Sequence, residues 1–177
     1  MKKIVLVFAS LFLLVGCMGN KASDAVKNYL NQYRNLSNNV ATSLDDLTEK
    51  QNLSNTQKEL YQKIMRKQYQ DLKYEIVNEE YDGDNAKVTA KITVYDLYKV
   101  QKAAEDYMKS HMEEFYDNNK TFDNSKYIDY KLDKMKDTNE EVSYTIIFNV
   151  KKEDGKWTVD QPTEQDLEKI HGIYNYE

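Results

Sequence analysis

Residues 142–160 read VSYTIIFNVKKEDGKWTVD, and this stretch decides the fold class of the chain. Every second residue from 142 to 150 is apolar, which predicts a β-strand with one buried and one solvated face. Asp154-Gly155 then turns the chain, and Trp157 and Val159 follow on one face. Because an Asp-Gly pair between two alternating segments is a strong hairpin signal, the stretch predicts two antiparallel strands.

A second hairpin is predicted earlier in the chain. Residues 74–81 are rich in strand-forming types, residues 82–85 read DGDN, and residues 88–94 again alternate between apolar and polar. The DGD triplet resembles the start of a calcium-binding loop, but the other ligands and the closing glutamate are missing at the required spacing. We therefore interpret residues 82–85 as a turn.

Helical periodicity dominates residues 23–72. Apolar residues recur at steps of three and four up to residue 47, with Ser23 as the candidate N-cap. Short polar side chains at 37–39 compete for backbone hydrogen bonds and predict an interruption of this helix. Residues 54–57 read SNTQ, which fits a capping box and predicts a further helix.

Three later segments complete the pattern. A helix is predicted over residues 98–117, with apolar residues on one face and charged residues on the other. Residues 118–138 are polar with scattered apolar positions, and they predict either a short helix or an early strand. Thr163 and Asp166 can cap a final helix. Helices combined with two hairpins indicate the α+β class, and five glycines and one proline agree with long helices.

The first seventeen residues have the plan of an export signal. Lys2 and Lys3 precede an apolar run at 4–15, which is shorter than the roughly 20 residues that span a bilayer. Leu14-Val15-Gly16-Cys17 then resembles the lipobox of bacterial lipoproteins, in which the cysteine is lipidated through a thioether and becomes the new N-terminus. The alternatives are an uncleaved anchor, or an ordinary signal peptide with an incidental cysteine.

The lipobox resemblance implies the domain organisation. Residues 1–16 form the signal peptide, 17–22 the lipidated cysteine and its tether, and 23–177 a single domain. The resemblance implies a lipid anchor on Cys17 and a place on the outer side of a cell membrane. Because lipidation consumes the only thiol in the chain, no disulfide is expected, although the compartment permits one.

Composition limits the classes of function. Removal of residues 1–16 leaves 161 of the 177 residues, about the size of one domain. The full chain has 25 basic and 30 acidic residues. Removal of the signal peptide takes away Lys2 and Lys3, so the mature chain has 23 basic and 30 acidic residues and a formal net charge of −7. An acidic domain of this kind does not favour nucleic acid as a partner. The 15 tyrosines indicate a half-solvated core and sheet surface, and a carbohydrate or peptide platform is the alternative.

Residues 153–160, EDGKWTVD, follow a long strand and precede a capped helix. This arrangement resembles the closing hairpin of small bacterial lipoproteins with an NTF2-like, or cystatin-like, domain. Helices first, strands after them and a lipobox in front also match. The resemblance implies helices packed on a curved antiparallel sheet, in a cone with a pocket inside. The helix at 98–117 is longer than this pattern expects, and the fold alone does not supply an activity.

His111 is the candidate catalytic residue, because it falls on the apolar face of its predicted helix and can serve as a general base in a pocket. A buried imidazole hydrogen-bonded to the sheet is the alternative. The candidate pocket residues are Tyr95, Tyr107, His111, Tyr144 and Trp157. Neither histidine lies in a zinc-binding spacing, and phosphate-loop and nucleophile motifs are missing from the sequence, so no metal or cofactor is expected.

Three functions remain open from the sequence. The leading hypothesis is a non-enzymatic binding or protein-interaction module on the membrane surface, whose partner is an envelope protein, a peptide or a small apolar ligand. The second is a pocket enzyme with His111 or a buried carboxylate as the base. The third is a lipoprotein that sequesters a toxic peptide. An enclosed pocket with convergent polar groups favours ligand binding or catalysis, whereas a filled core with an exposed aromatic patch favours protein interaction.

Overall fold

The computed structural model describes residues 21–177, and the predicted signal peptide and lipobox, including Cys17, lie outside these residues. In chain order, the described part has three helices, a hairpin, two helices, a second hairpin and a last helix. The helices are α1 (Ala22–Arg34), α2 (Asn38–Glu49), α3 (Asn55–Gln70), α4 (Leu97–Ser110), α5 (Asn124–Asp137) and α6 (Glu164–His171). The strands are β1 (Lys73–Asp82), β2 (Asn85–Tyr95), β3 (Glu141–Glu153) and β4 (Lys156–Val159).

The four strands form one antiparallel sheet in the order β1-β2-β3-β4. Helices pack against this sheet, which is not closed, and the predicted α+β class is confirmed. Both predicted hairpins are present. In the second, Asp154 and Gly155 have φ angles of 50° and 78°. These are the two positive values that a type I′ turn requires, so the Asp-Gly pair sets the register of β3 against β4.

The sheet curves strongly around α1. Val88 on β2 and Phe148 on β3 pair across the inner face and are almost fully buried. Tyr81 and Trp157 also point to this face, from β1 and β4 at opposite edges of the sheet, yet their ring centroids lie only 5.5 Å apart. A flat four-stranded sheet would separate these edges by about three strand spacings of 4.8 Å. The contact therefore confirms the predicted curvature.

The first turn of α1 is held by side chains of β1. The Ala22 N–H donates to the Tyr81 hydroxyl at 3.2 Å, and the Ser23 N–H donates to Glu79 Oε2 at 3.1 Å. The predicted N-cap role of Ser23 is wrong, because Lys21 occupies that position and Ser23 lies inside the helix, buried. A hydroxyl and a carboxylate brought by the tertiary fold thus each satisfy one amide group that a local cap would otherwise bind.

The predicted interruption near 37–39 is confirmed. α1 ends at Arg34, Leu36 adopts a positive φ of 46°, and α2 begins at Asn38. The predicted capping box is also present, since the Gln57 N–H donates to Ser54 Oγ while the Ser54 N–H donates to Gln57 Oε1.

Helices α2 to α5 pack mainly on one another, and α3 meets the sheet at its C-terminal end. There Gln68 bonds to the backbone of Tyr95 in both directions, at 3.0 Å each. The uncertain segment 118–138 is resolved as helical, because most of it forms α5. No helix within residues 21–177 combines the length and the apolar character needed to cross a bilayer.

Candidate functional site

Of the five predicted pocket residues, two are in contact with each other. Tyr107 lies near the C-terminal end of α4, beside His111. Tyr95 ends β2, where its hydroxyl donates to a carboxylate of α3's C-terminal cap rather than to a cavity. Tyr144 and Trp157 are buried on the inner face of β3 and β4. The described structure therefore does not assemble these five side chains into one pocket.

His111 is exposed, so its predicted place on a buried helix face is wrong. The helix predicted over 98–117 ends at Ser110, and His111 leaves it with a φ of −130° before a short 3₁₀ turn at Met112–Phe115. Its Nδ1 lies 3.1 Å from the Tyr107 carbonyl oxygen. The Ser110 hydroxyl oxygen lies 3.0 Å from the same nitrogen, so both contacts of Nδ1 are to the last turn of α4. The imidazole therefore occupies neither a pocket nor a site on the sheet.

His111 instead begins a chain of ring contacts at the tip of the α4–α5 hairpin, which we name the aromatic network. It stacks on Tyr107 with centroids 4.1 Å apart, and Tyr107 stacks on Tyr130 of α5 at 5.0 Å. Phe115 lies edge-on to Tyr107 and Tyr130. The network comprises Tyr107, His111, Phe115, Phe122, Tyr127 and Tyr130.

The aromatic network is partly open to solvent. Phe115 is buried at its centre, whereas Phe122 is 38% exposed and the neighbouring Met112 is 43% exposed. Phe115, together with Ala104 and Met108 of α4, is buried separately from the main core cluster. α4 packs chiefly on α5, which in turn packs on α3. The network is thus a small satellite core with one uncovered side.

Charged groups of both signs border the network. The Tyr107 hydroxyl donates to Glu114 at 3.0 Å, and this hydrogen bond raises the pKa of the tyrosine. On the α5 side, Lys134 Nζ lies 5.2 Å from the Tyr130 ring centre and Lys131 Nζ lies 5.5 Å from that of Tyr127. Burial lowers the pKa of Lys131. The surface therefore combines an apolar centre with a polar rim.

A second cluster, of buried tyrosines and one histidine, lies in the main core. The hydroxyls of Tyr29 and Tyr33 are 3.2 Å apart, and the Tyr69 hydroxyl lies 2.8 Å from His171 Nδ1. Burial lowers the pKa of His171 to about 3, so the imidazole is neutral near pH 7. Sequence reasoning gave His171 no role, because its tyrosine partner is 102 positions away. The only local signal was the four-residue spacing of Tyr29 and Tyr33.

A buried carboxylate lies where β2 passes into α4. Asp96 Oδ1 accepts the Lys99 N–H at 3.0 Å, and Oδ2 accepts the Tyr176 hydroxyl at 2.8 Å. The Tyr144 hydroxyl is buried nearby without a hydrogen-bond partner, and its ring lies edge-on to Tyr174. The carboxylate therefore caps α4 and ties the C-terminal segment to the start of this helix.

Two features of the described residues bear on ligand binding. A depression of about 460 Å³ opens along α3 and is lined by Glu59, Gln62, Lys63, Arg66, Lys67 and Gln70. All six side chains lie on one face of a single helix, whereas small-molecule sites are concave and bury most of the ligand surface. Within residues 21–177, no group of three or more His, Cys, Asp or Glu side chains is placed to hold a metal ion.

Comparison with known protein families, characterised proteins and solved structures finds no match to the chain. The resemblance to NTF2-like lipoproteins therefore stays a prediction. Function has to be argued from the surfaces of this chain, and among those described the aromatic network joins the largest group of contacting rings to exposed apolar side chains.

Proposed function

We propose that the chain is a lipid-anchored, extracytoplasmic lipoprotein with an NTF2-like domain, and that it binds another envelope protein through the aromatic network. The anchor is supported by the basic start, the short apolar run and the Leu14-Val15-Gly16-Cys17 pattern. Two or more lipid chains give stable anchoring, which a lipidated Cys17 supplies.

The exposed part of the aromatic network carries the proposal. Tyrosine, phenylalanine and methionine are enriched at the centres of protein interfaces, and charged side chains form their rims. Met112 and Phe122 supply exposed apolar area, while Glu114 and Lys134 stand beside the tyrosine rings. A protein partner fits these exposed side chains better than a small apolar ligand does, because such ligands bind in concave sites that bury most of their surface.

Capture of the partner tests the interaction. The lipidated chain is solubilised from membranes in detergent and recovered with whatever binds it, alongside a Met112→Gln, Phe122→Gln double variant. The control is Ile147→Gln, which removes a more exposed apolar side chain, from the sheet face. We expect one stoichiometric protein with the native chain and the control, and at least a tenfold loss with the double variant. Equal recovery by all three chains would contradict the proposal.

Fractionation tests the anchor independently. We expect the native chain in the membrane fraction and a Cys17→Ser variant outside it, because the serine oxygen cannot form the thioether. A Cys17→Ser protein that stays with membranes at its mature size would show that the cysteine is incidental.

A further inference from the structure

We propose that one end of the sheet faces the bilayer and the aromatic network is thereby held away from it. This end, which we name the turn end, comprises the two hairpin turns at 83–84 and 154–155 and the start of α1. The inference rests on the proposed lipidation of Cys17. It assigns a second interaction surface to the chain, and the partner of that surface is the lipid headgroup layer.

A short tether joins the anchor to a fixed point of the fold. An extended chain spans at most about 3.6 Å per residue, so the five steps from Cys17 to Ala22 reach about 18 Å. α1 cannot unwind to lengthen this tether without losing the bonds that Tyr81 and Glu79 make to its first amides. The Tyr81 hydroxyl also donates to Glu79 Oε2 at 2.6 Å, which orients both acceptors.

The direction of the strands places the start of α1 at the turn end. The Ala22 N–H donates to the hydroxyl of Tyr81, which is the penultimate residue of β1. The β3–β4 turn lies at the same end, because the Lys152 N–H donates to the carbonyl oxygen of Asp84 at 2.7 Å. The described part of the chain therefore begins beside both hairpin turns.

The helices that carry the network join the opposite end of the sheet. α4 begins directly after β2, and α5 ends directly before β3, whose residue Glu141 pairs with Tyr95. β2 has 11 residues. At about 3.3 Å per residue, the two ends of the sheet are roughly 35 Å apart. This is about twice the reach of the tether. α4 and α5 pack chiefly on each other and on α3 rather than back along the strands, so the network at their tip stays away from the turn end.

The chemistry of the turn end suits a headgroup layer. Tyr81 is 52% exposed beside Trp157, and Lys152 Nζ lies 5.6 Å from the tryptophan ring centre. Tyrosine combines an apolar ring with a polar tip and is enriched at membrane interfaces. The two turns also carry the exposed carboxylates of Asp84 and Asp154 beside Lys152, so this end presents charges of both signs, as zwitterionic headgroups do. We therefore place the turn end of the domain against the lipid headgroup layer.

Single-cysteine labels test this orientation. A thioether at Cys17 leaves no free thiol, so an introduced cysteine is the only reactive one. Asp84→Cys lies at the turn end and Asn118→Cys lies between α4 and α5, and both positions are exposed. Each full-length lipidated variant is labelled with the same fluorophore and reconstituted into phosphatidylcholine vesicles that carry a quencher on the headgroups. A soluble quencher added to each sample controls for the local environment of the label.

We expect several-fold stronger headgroup quenching at position 84 than at 118, with similar quenching of both by the soluble agent. Equal or reversed headgroup quenching on vesicle-bound protein would overturn the orientation and leave the proposed function standing. Reaction of the native chain with the thiol reagent would show that Cys17 is not lipidated. That result would overturn the anchor and this inference together.

Discussion

Replacing Tyr144 by phenylalanine removes one buried hydroxyl and little else. The ring lies on the inner face of β3 and keeps its edge-on contact with Tyr174, at 5.7 Å between centroids. The hydroxyl has no hydrogen-bond partner in the described structure. Burial, and after it the nearby carboxylate of Asp96, raises the pKa of Tyr144, so the hydroxyl is protonated at neutral pH. The variant therefore removes a neutral polar group that folding takes out of water.

The expected effect follows from the cost of that desolvation. A buried polar group without a partner costs about 1–3 kcal/mol, and its replacement by an apolar group of the same shape recovers part of this. We expect the free energy of unfolding to rise by about 1 kcal/mol. In a domain of this size, that raises Tm by about 2–4 °C.

Urea unfolding followed by tryptophan fluorescence measures this change. Trp157 is the only tryptophan and is buried, so it reports the loss of the core. The matched control is Tyr176→Phe, which removes a hydroxyl that does donate, to Asp96 at 2.8 Å. We expect this control to lose about 1 kcal/mol, because a hydrogen bond to a carboxylate disappears. Destabilisation by Tyr144→Phe of 1 kcal/mol or more would show that its hydroxyl has a bound partner, and would refute the reasoning.

Three further predictions use the same unfolding assay. Ser54→Ala loses the hydrogen bond from the Gln57 N–H to Ser54 Oγ and should cost about 1 kcal/mol, and an unchanged midpoint would contradict the role of Ser54 as the α3 cap. Gly172→Ala should lower the free energy of unfolding by about 2 kcal/mol or more, because Gly172 has a φ of 70° and an added Cβ would collide with Gln68 Nε2 and the Tyr95 carbonyl oxygen. A native-like urea midpoint would show that this packing relaxes freely. The pKa of His171 is about 3 in the folded chain, below its ordinary 6.5, so between these pH values the unfolded chain binds one more proton than the folded chain. The free energy of unfolding therefore decreases as the pH is lowered from 6.5, by up to about 1.4 kcal/mol per pH unit. His171→Gln should flatten the pH dependence of the urea midpoint between pH 6.5 and 4, and an unchanged slope would assign that dependence to carboxylates.

Neighbouring residues were enough to predict the turns and caps that form from contacts close in sequence. The Asp154-Gly155 turn depends on two backbone angles and the alternation beside it, and both can be read from neighbouring residues. The Ser54–Gln57 capping box spans one helical turn. The same kind of reasoning misplaced the N-cap at Ser23, because the acceptor that holds its N–H is Glu79, 56 positions away.

The candidate site was harder to predict for a related reason. The periodicity that placed His111 on an apolar face continues past Ser110, but the helix does not. One residue outside the helix, the imidazole turns to the surface and stacks on Tyr107. Tyr130 joins this stack from α5, a helix that the sequence left undecided between a helix and a strand. A network built from two helices is not visible in either of them alone.

Neighbouring residues are enough to predict the α+β class, both hairpins, the break between α1 and α2 and the cap of α3, because each depends on contacts within a few residues. The sequence also carries the prediction of the anchor at Cys17. It does not reveal the curvature of the sheet around α1, the burial of His171 beside Tyr69 or the assembly of the aromatic network. These features depend on side chains that lie far apart along the chain, and their contacts form only when the helices and the sheet bury apolar surface together.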